Sequence, residues 1–379
     1  MSFVESEERI ALRRAVAEFG AKYGPEYFSA KARAGEKTTE LWEEAGKLGY
    51  LGVAVPEEYG GGGGGIGDLA AVCEELAAAG CPLLLMVVSP AICATVIARF
   101  GTDEQKSKWL PGFADGTLKM AFAITEPDAG SNAHKLKTRV RRDGDDWVLN
   151  GTKTYISGAD EVDAVLVVAI QETGPVLVVL PTTADGFTRH EIDMDLVMPE
   201  KQFTLFFDDV RLPADAVVGS PDQGLQQVFA GLNPERIMGA SMGTGSARLA
   251  IAKAVAYAQQ RTVWDTPIGA HQGLAHPLAK AHIEVELARL MTQKAAALYD
   301  SGRDREAGEA ANMAKYAAGE AIAAAVDQAV QVHGGNGLTR EFGLASMLAS
   351  SRLSRIAPVS REMVLNFVAQ NSLKLPRSY

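Results

Sequence analysis

Three short segments of the 379-residue chain gather groups that could do chemistry. In Phe122-Ala-Ile-Thr-Glu-Pro-Asp-Ala-Gly-Ser131 an apolar run enters a turn of Pro, Asp, Ala, Gly and Ser. The free N–H groups and hydroxyls of such a turn suit a phosphate or a planar heterocycle, although an ordinary connector has the same composition. Lys153-Thr-Tyr-Ile-Ser157 sets an aromatic ring and a hydroxyl two residues apart, on one face of a strand. A half-exposed strand satisfies that spacing equally well. Asn233-Pro234-Glu235-Arg236 reads as the opening of a helix, with proline in the first turn and an acid directly after it. A carboxylate there favours the helix dipole; the same carboxylate, desolvated, is a general base.

Other residues invite chemistry and are read as structural. His276, His282 and His333 have no carboxylate or cysteine at ligand spacing, so no metal site is expected. Gly334-Gly335-Asn336-Gly337 follows a helical pattern rather than a strand, so its glycines end a helix and do not open a dinucleotide fold.

The elements that must position these segments come in three blocks. Up to about residue 115 the pattern is helical, as in Glu5 to Phe19, where Ile10, Leu12, Val16 and Phe19 keep three-four spacing. Thr38 to Leu48 and Leu69 to Ala79 read the same way, separated by the glycine run Gly60 to Gly65, expected as a flexible loop. Thr102 opens a short helix that Pro111-Gly112 is expected to close. Leu76 to Ala98 carries no charge, but Gly80-Cys81-Pro82 and Ser89-Pro90 interrupt it, so buried helices are expected rather than a membrane span. From about 118 to 215 the period changes to two, in runs such as Asp163 to Gln171 and Lys201 to Leu212. Helix returns after about 223, in Ala-rich segments at 235–260, 275–300 and 305–333. The domains expected are 1–117 (helical), 118–222 (β) and 223–379 (helical), an α+β multidomain chain without the strand–helix alternation of a parallel sheet.

Composition narrows the classes further. The chain is 47% hydrophobic and 22% charged, which excludes a mainly disordered or collagen-like protein. A net charge of −10 argues against nucleic acid as a partner. Cys73, Cys81 and Cys93 have no metal or CxxC spacing and fit buried thiols in a reducing cytosol. The N-terminus has no apolar stretch of a signal peptide, and a cytoplasmic location is expected.

In order along the chain, FAITEPDAGS, KTYIS, RTVWDTPIGAHQ at 261–272 and QVHGGNGLTREF at 331–342 resemble the signatures of the acyl-CoA dehydrogenase family. The similarity runs across essentially the whole chain. It implies an N-terminal helical domain, a central β-domain and a C-terminal four-helix bundle. It also implies FAD-dependent α,β-dehydrogenation of an acyl-CoA thioester, in which a base takes the α-proton while the β-hydrogen leaves as hydride to flavin N5. Phe122, Ile124, Thr125, Gly130 and Ser131 would line the flavin, with Ser131 also near the CoA phosphates. Ser157 would lie near N5, Ile156 beside it, and Tyr155 would flank the ring where many relatives have Trp. Asn132 stands where the family usually has Asp.

Most relatives place the base Glu about twenty residues past the second signature, where this chain has Pro358. Proline takes no proton and offers no N–H to polarise a thioester carbonyl. Isovaleryl- and long-chain-type relatives carry the base on the first long helix of the C-terminal domain, and there the resemblance assigns Glu235, with Leu232 and Arg236 facing the substrate. Arg261, Gln272, Gln331, Gly334 and Gly335 would complete the FAD site, and Ser360 matches a Thr near the FAD ribose. Glu235 and Arg261 are 26 residues apart on one long helix, roughly 39 Å. That exceeds the reach of one FAD, so Arg261 would serve a neighbouring subunit's cofactor in a dimer of dimers or a heterotetramer. Electron-transferring flavoprotein is the implied acceptor. Two alternatives stay open: a non-catalytic FAD-binding partner subunit, and a flavin oxidase. The side chains Leu84, Met86, Val87, Met238 and Met242 are candidates for the acyl pocket, or for core.

Overall fold

A computed structural model describes residues 5–377, so the outermost residues of the first and third expected domains lie outside it. The N-terminal part is built from α1 (Glu7–Ala34), α2 (Thr39–Lys47), α3 (Ile66–Ala78), α4 (Leu84–Val88), α5 (Thr95–Phe100) and α6 (Asp103–Asp115). Ser6 caps α1 by accepting from the Arg9 N–H, and Gly24-Pro25 kinks it without ending it. α6 runs through Pro111 and stops at Gly116 in the left-handed region, so the expected stop at Pro111-Gly112 is corrected. Ser89-Pro90 is not a break either. The chain widens into a π turn over Ser89–Ala94, which accommodates the missing proline donor and joins α4 to α5. The Gly60 to Gly65 loop is tied down rather than free: the N–H groups of Gly61, Gly62, Gly63 and Gly64 donate to Pro56, Gly52, Val55 and Val53 carbonyls. A Cβ on Gly61 would stand 2.1 Å from the Val55 oxygen, so the glycine permits backbone-on-backbone contact.

The middle part carries β1 (Met120–Ala123), β2 (Arg139–Asp143), β3 (Asp146–Ser157), β4 (Ala164–Gln171), β5 (Gly174–Pro181), β6 (Phe187–Ile192) and β7 (Gln202–Leu212). They form one sheet in the order β1-β4-β2-β3-β7-β6, with β5 paired to β4. Most pairings are antiparallel; β1 runs parallel to β4. β4 and β5 are almost wholly apolar and buried, so the sheet is covered on both faces at its centre.

The C-terminal part opens with α7 (Gly224–Gln260), followed by the hairpin β8 (Thr262–Val263) and β9 (Thr266–Pro267). α8 (Gln272–Asp300) and α9 (Asp304–His333) complete the long helices, and α10 (Ala345–Leu353) and α11 (Arg361–Phe367) pack on α9. α7 and α9 run parallel: Asn233 faces Asp304 and Gly308, and ten residues on Gly243 faces Ala318. Small residues permit this approach, with Ala311, Ala314, Ala318 and Ala325 buried along α9.

A charged cluster fastens the N-terminal helices to this bundle. Glu74 on α3, 4% exposed, accepts from Arg13 of α1 at 2.6 Å, from Arg289 of α8, and from the Thr244 hydroxyl of α7 at 3.3 Å. Glu75 accepts from Arg13 at 2.7 Å and from Arg248 of α7 at 2.9 Å. Removing one partner of such a group strands the others with little water. Glu74→Ala is expected to lower unfolding stability by about 3 kcal/mol, measured as a reduced urea midpoint, and Glu74→Gln by clearly less.

Candidate active site

Proline inside α7 sets up the chemistry. Pro234 lies ten residues into the helix, not in its first turn, so the expected helix opening is corrected. Its missing N–H leaves the Ala230 carbonyl without its intrahelical donor. The Tyr299 hydroxyl from α8 donates to that carbonyl at 3.1 Å, and Arg99 of α5 donates to the same hydroxyl at 3.0 Å. The helix thus continues through Pro234, and Glu235 projects from its middle.

Glu235 lies on the wall of a cavity of about 1430 Å³ between the three parts of the chain. Burial pushes its carboxyl up to about 7, against the pull of Arg236 and Lys315. Its side chain is half-buried by surface because one side faces the cavity, while protein encloses the rest. Arg236 donates to the Leu232 carbonyl at 3.0 Å and to Asn233 Oδ1 at 3.3 Å, and its Nε–H is buried with no protein partner. Burial pulls its guanidinium down, and Glu235 opposes that. Lys315 of α9, 3% exposed, donates to the Val359 carbonyl. Burial and then Arg236 bring its ammonium down to about 8, with Glu362, Glu235 and Glu320 opposing. Pro358 reaches the same wall: its Cδ stands 3.8 Å from where a Cβ on Gly239 would be, one turn beyond Glu235. Positions 235 and 358 therefore approach one region of the cavity from different elements.

The β-domain supplies the facing wall. Phe122, Ile124, Thr125, Gly130, Ser131, Tyr155, Ile156 and Ser157 all line the cavity, as do Leu232 and Ser360. The pairing of β3 with β7 shifts between Lys153–Leu205 and Ile156–Phe203, so Thr154 and Tyr155 oppose one residue. In this bulge Tyr155 has φ 57°, and its ring is left 60% exposed. The bulge corrects simple alternation: three consecutive residues, 155 to 157, line the cavity. An open aromatic face beside the Ser157 hydroxyl and the Thr125 turn fits a planar heterocycle. The turn is held from below by Lys153, fully buried, whose ammonium donates to the Ile124 carbonyl at 2.8 Å and to Glu126 at 2.9 Å. Glu126 also accepts from the N–H groups of Lys137 and Thr138. Burial brings Lys153 down to about 8. Ser157 receives the Gln202 amide N–H at 3.0 Å, and Ser360 caps α11 by accepting from the Met363 N–H.

Arg261, Gln272, Gln331, Gly334 and Gly335 do not reach this cavity. They are exposed at the far end of the bundle, where Arg261 ends α7. Near that end Tyr257 stacks on His333 at 4.2 Å, and Asn336 donates to the Tyr257 hydroxyl at 3.1 Å. Of the acyl-pocket candidates, Leu84, Val87 and Met242 line the cavity, while Met86 and Met238 are fully buried core. Sequence reasoning missed Lys315, Lys153 and Glu200. Glu200 caps α4 by accepting from the Leu84 N–H at 2.7 Å, which fixes the helix that carries Leu84, Val87 and Val88. Lys315 had a signal, a lysine inside the alanine stripe of 305–333.

Known proteins decide the family. An acyl-CoA dehydrogenase, FadE12, of Mycobacterium tuberculosis is 66% identical over 384 aligned residues, covering 100% of this chain and 99% of the relative. The chain belongs to the acyl-CoA dehydrogenase family. Sequence-family models for its N-terminal, middle and C-terminal domains match residues 6–117, 121–210 and 222–373. A glutaryl-coenzyme A dehydrogenase solved with glutaryl-CoA superposes with a TM-score of 0.96 at 29% identity, covering 100% of this chain and 98% of that one. A glutaryl-CoA dehydrogenase from Mycobacterium smegmatis, solved in complex with FADH2, gives 0.91 at 27% identity, over 99% and 96%. This acyl-CoA dehydrogenase is thus an oxidoreductase of a family that uses FAD, with the fold that the resemblance implied. Among the described residues, no helix is long and apolar enough to cross a membrane.

The raised carboxyl makes a stability prediction. Glu235 ionises near 7 in the folded chain and near 4.5 when free, so the native state binds the extra proton and loses stability as pH rises between those values. Glu235→Gln removes this loss. The variant is expected to gain about 3 kcal/mol on the parent between acid and pH above 7, read from urea unfolding at a series of pH values.

Proposed function

We propose that Glu235 takes the α-proton of an acyl-CoA thioester, which becomes the trans-2-enoyl-CoA. The observation that carries this reading is a desolvated carboxyl, ionising at about 7, on the wall of the cavity that the 122–131 turn and the 155–157 bulge also line. A base is most effective with its pKa near working pH. FAD, when bound, supplies the acceptor for the β-hydride. Phe122, Ile124, Thr125, Gly130, Ser131, Tyr155, Ile156, Ser157 and Ser360 would hold it, and Leu232, Arg236 and Ser131 would contact the thioester ligand.

Negative charge develops on the thioester oxygen as the α-proton leaves, and it must be met by fixed donors or cations. Pro358 has no N–H to give. Arg236, with its unpartnered Nε–H, and the Lys315 ammonium are the positive groups of this wall. Both also oppose the burial of the Glu235 carboxylate before the proton arrives. Glu235 stands inside the cavity, which speaks against a subunit that only binds FAD. Electron-transferring flavoprotein is the acceptor that the family resemblance implies.

Under anaerobic conditions Glu235→Gln is expected to slow acyl-CoA bleaching of the flavin by roughly 10²–10⁴-fold with FAD still bound. In the parent, kcat/KM should rise with pH through about 7, as the base ionises. Unchanged bleaching by the variant would remove Glu235 from the role.

A shared cofactor site follows from the length of α7. Arg261 is 26 residues from Glu235, roughly 39 Å along the helix, and cannot serve a FAD whose ring faces Glu235 of the same chain. α8 also leaves Ile283, Leu287 and Leu290 exposed at 58%, 61% and 49%, at helical spacing on one face. We propose that Arg261, Gln272 and the Gln331–Gly335 segment complete the site of a partner subunit. Arg261→Ala is expected to lose FAD on gel filtration while the protein elutes as the same oligomer; a monomeric parent that retains FAD would contradict it.

A further inference from the structure

Beyond Glu235 the cavity wall carries two helical glycines that neither backbone conformation nor packing requires. Glycine inside a helix is destabilising relative to alanine and calls for a reason. Neither Gly239 nor Gly243 of α7 adopts a left-handed conformation. A Cβ on Gly239 would meet nothing closer than Pro358 Cδ at 3.8 Å, and one on Gly243 nothing closer than Ala318 Cβ at 3.7 Å. Their neighbours differ. On Gly231 a Cβ would stand 2.9 Å from the Ile92 side chain, on Gly245 2.2 Å from the Glu74 carbonyl, and on Gly319 2.6 Å from the Ser354 carbonyl. Close packing explains those three. At Gly239 and Gly243 a methyl would make only ordinary contacts, and both positions line the cavity.

Their positions give the space a direction. Gly239 and Gly243 follow Glu235 by one and two turns on the same face of α7, about 6 and 12 Å along the axis. α9 runs parallel on the other side, bringing Gly319 and Ile322 to the cavity at the level of Gly243 and beyond. Arg99, Asp304 and Arg305 lie toward the opposite end, with Glu235 and Arg236 between, and the Lys315 ammonium is turned to the Val359 carbonyl. Past that point α7 and α9 offer the cavity Met242, Gly243, Ser246, Gly319 and Ile322, none of them charged. A second carboxylate on the acyl chain would meet no cation among the α7 and α9 residues that line this stretch.

We propose that Gly239 and Gly243 hold open an acyl-tail channel that continues at least two helical turns past Glu235, so that the enzyme takes extended apolar acyl chains with no charged group at the far end. This deepens the reading of Glu235 as base and rests on it for the orientation of the thioester.

The test uses S-alkyl-CoA thioethers, which have no carbonyl and do not react, binding to the FAD-loaded oligomer. In the parent, affinity is expected to rise about fourfold for each methylene buried, well beyond the butyl compound. Gly243→Leu is expected to cut the hexadecyl-to-butyl affinity ratio at least tenfold, and Gly239→Leu to end the gain at a shorter chain. Gly243→Ala, whose methyl fits, should melt no lower than the parent, which shows that the position tolerates a side chain. An ω-carboxyl thioether should bind more weakly than its methyl-ended counterpart. The proposal is overturned if parent affinity stops rising at butyl, if Gly243→Leu keeps the parent ratio, or if the ω-carboxyl compound binds as tightly. Because no turnover is needed, a normal length series in a protein whose flavin no acyl-CoA bleaches would sink the catalytic reading and leave the channel standing.

Discussion

Keeping one carboxylate in a water-poor cleft is the constraint from which the site's construction follows. An ionised carboxylate loses hydration energy there, and its proton affinity rises in consequence. Arg236 and Lys315 limit that rise, so Glu235 ionises at about 7 rather than staying protonated. The position depends on a helix that survives an internal proline. Tyr299 satisfies the carbonyl that Pro234 orphans, and Arg99 orients Tyr299. The bundle is thus built around a local defect in α7, and the defect is where the chemistry sits.

The opposite wall is built by a second local irregularity. Unbroken pairing of β3 would alternate its side chains between core and cavity. The bulge at Thr154-Tyr155 presents Tyr155, Ile156 and Ser157 to the cavity together. Lys153, one residue before the bulge, reaches under the 124–126 turn and holds it through the Ile124 carbonyl and Glu126. A buried pair of this kind fixes geometry more than it adds stability. Turn and bulge are consequently locked to each other, and a planar ring bound between them would meet a rigid surface.

The sequence makes the large divisions legible because they rest on period. Apolar spacing changes from three-four to two and back, and the helical, β and helical parts follow. Glu235 is legible only through ordered motifs, since an acid after a proline is by itself an unremarkable helix start. The same proline misleads: it reads as a helix opening, yet tertiary contacts with α5, α8 and the sheet carry α7 through it. Ser89-Pro90 and Pro111 mislead for the same reason, proline being tolerated where a π turn or neighbouring elements absorb the lost bond. The bulge at Tyr155 leaves no trace in the spacing. By contrast, the distance between Glu235 and Arg261 follows from the helical rise alone, and α7 is one helix from Gly224 to Gln260.

The most direct test of the central claim is hydrogen exchange at the α-carbon of a bound thioester that has no β-hydrogen to lose. With 3-thia-acyl-CoA in D2O, the parent should exchange the α-protons, at a rate that rises with pH through about 7. Glu235→Gln should leave exchange near the rate in solvent alone. Exchange by Glu235→Gln at the parent rate, or a parent rate without that pH dependence, would contradict the account.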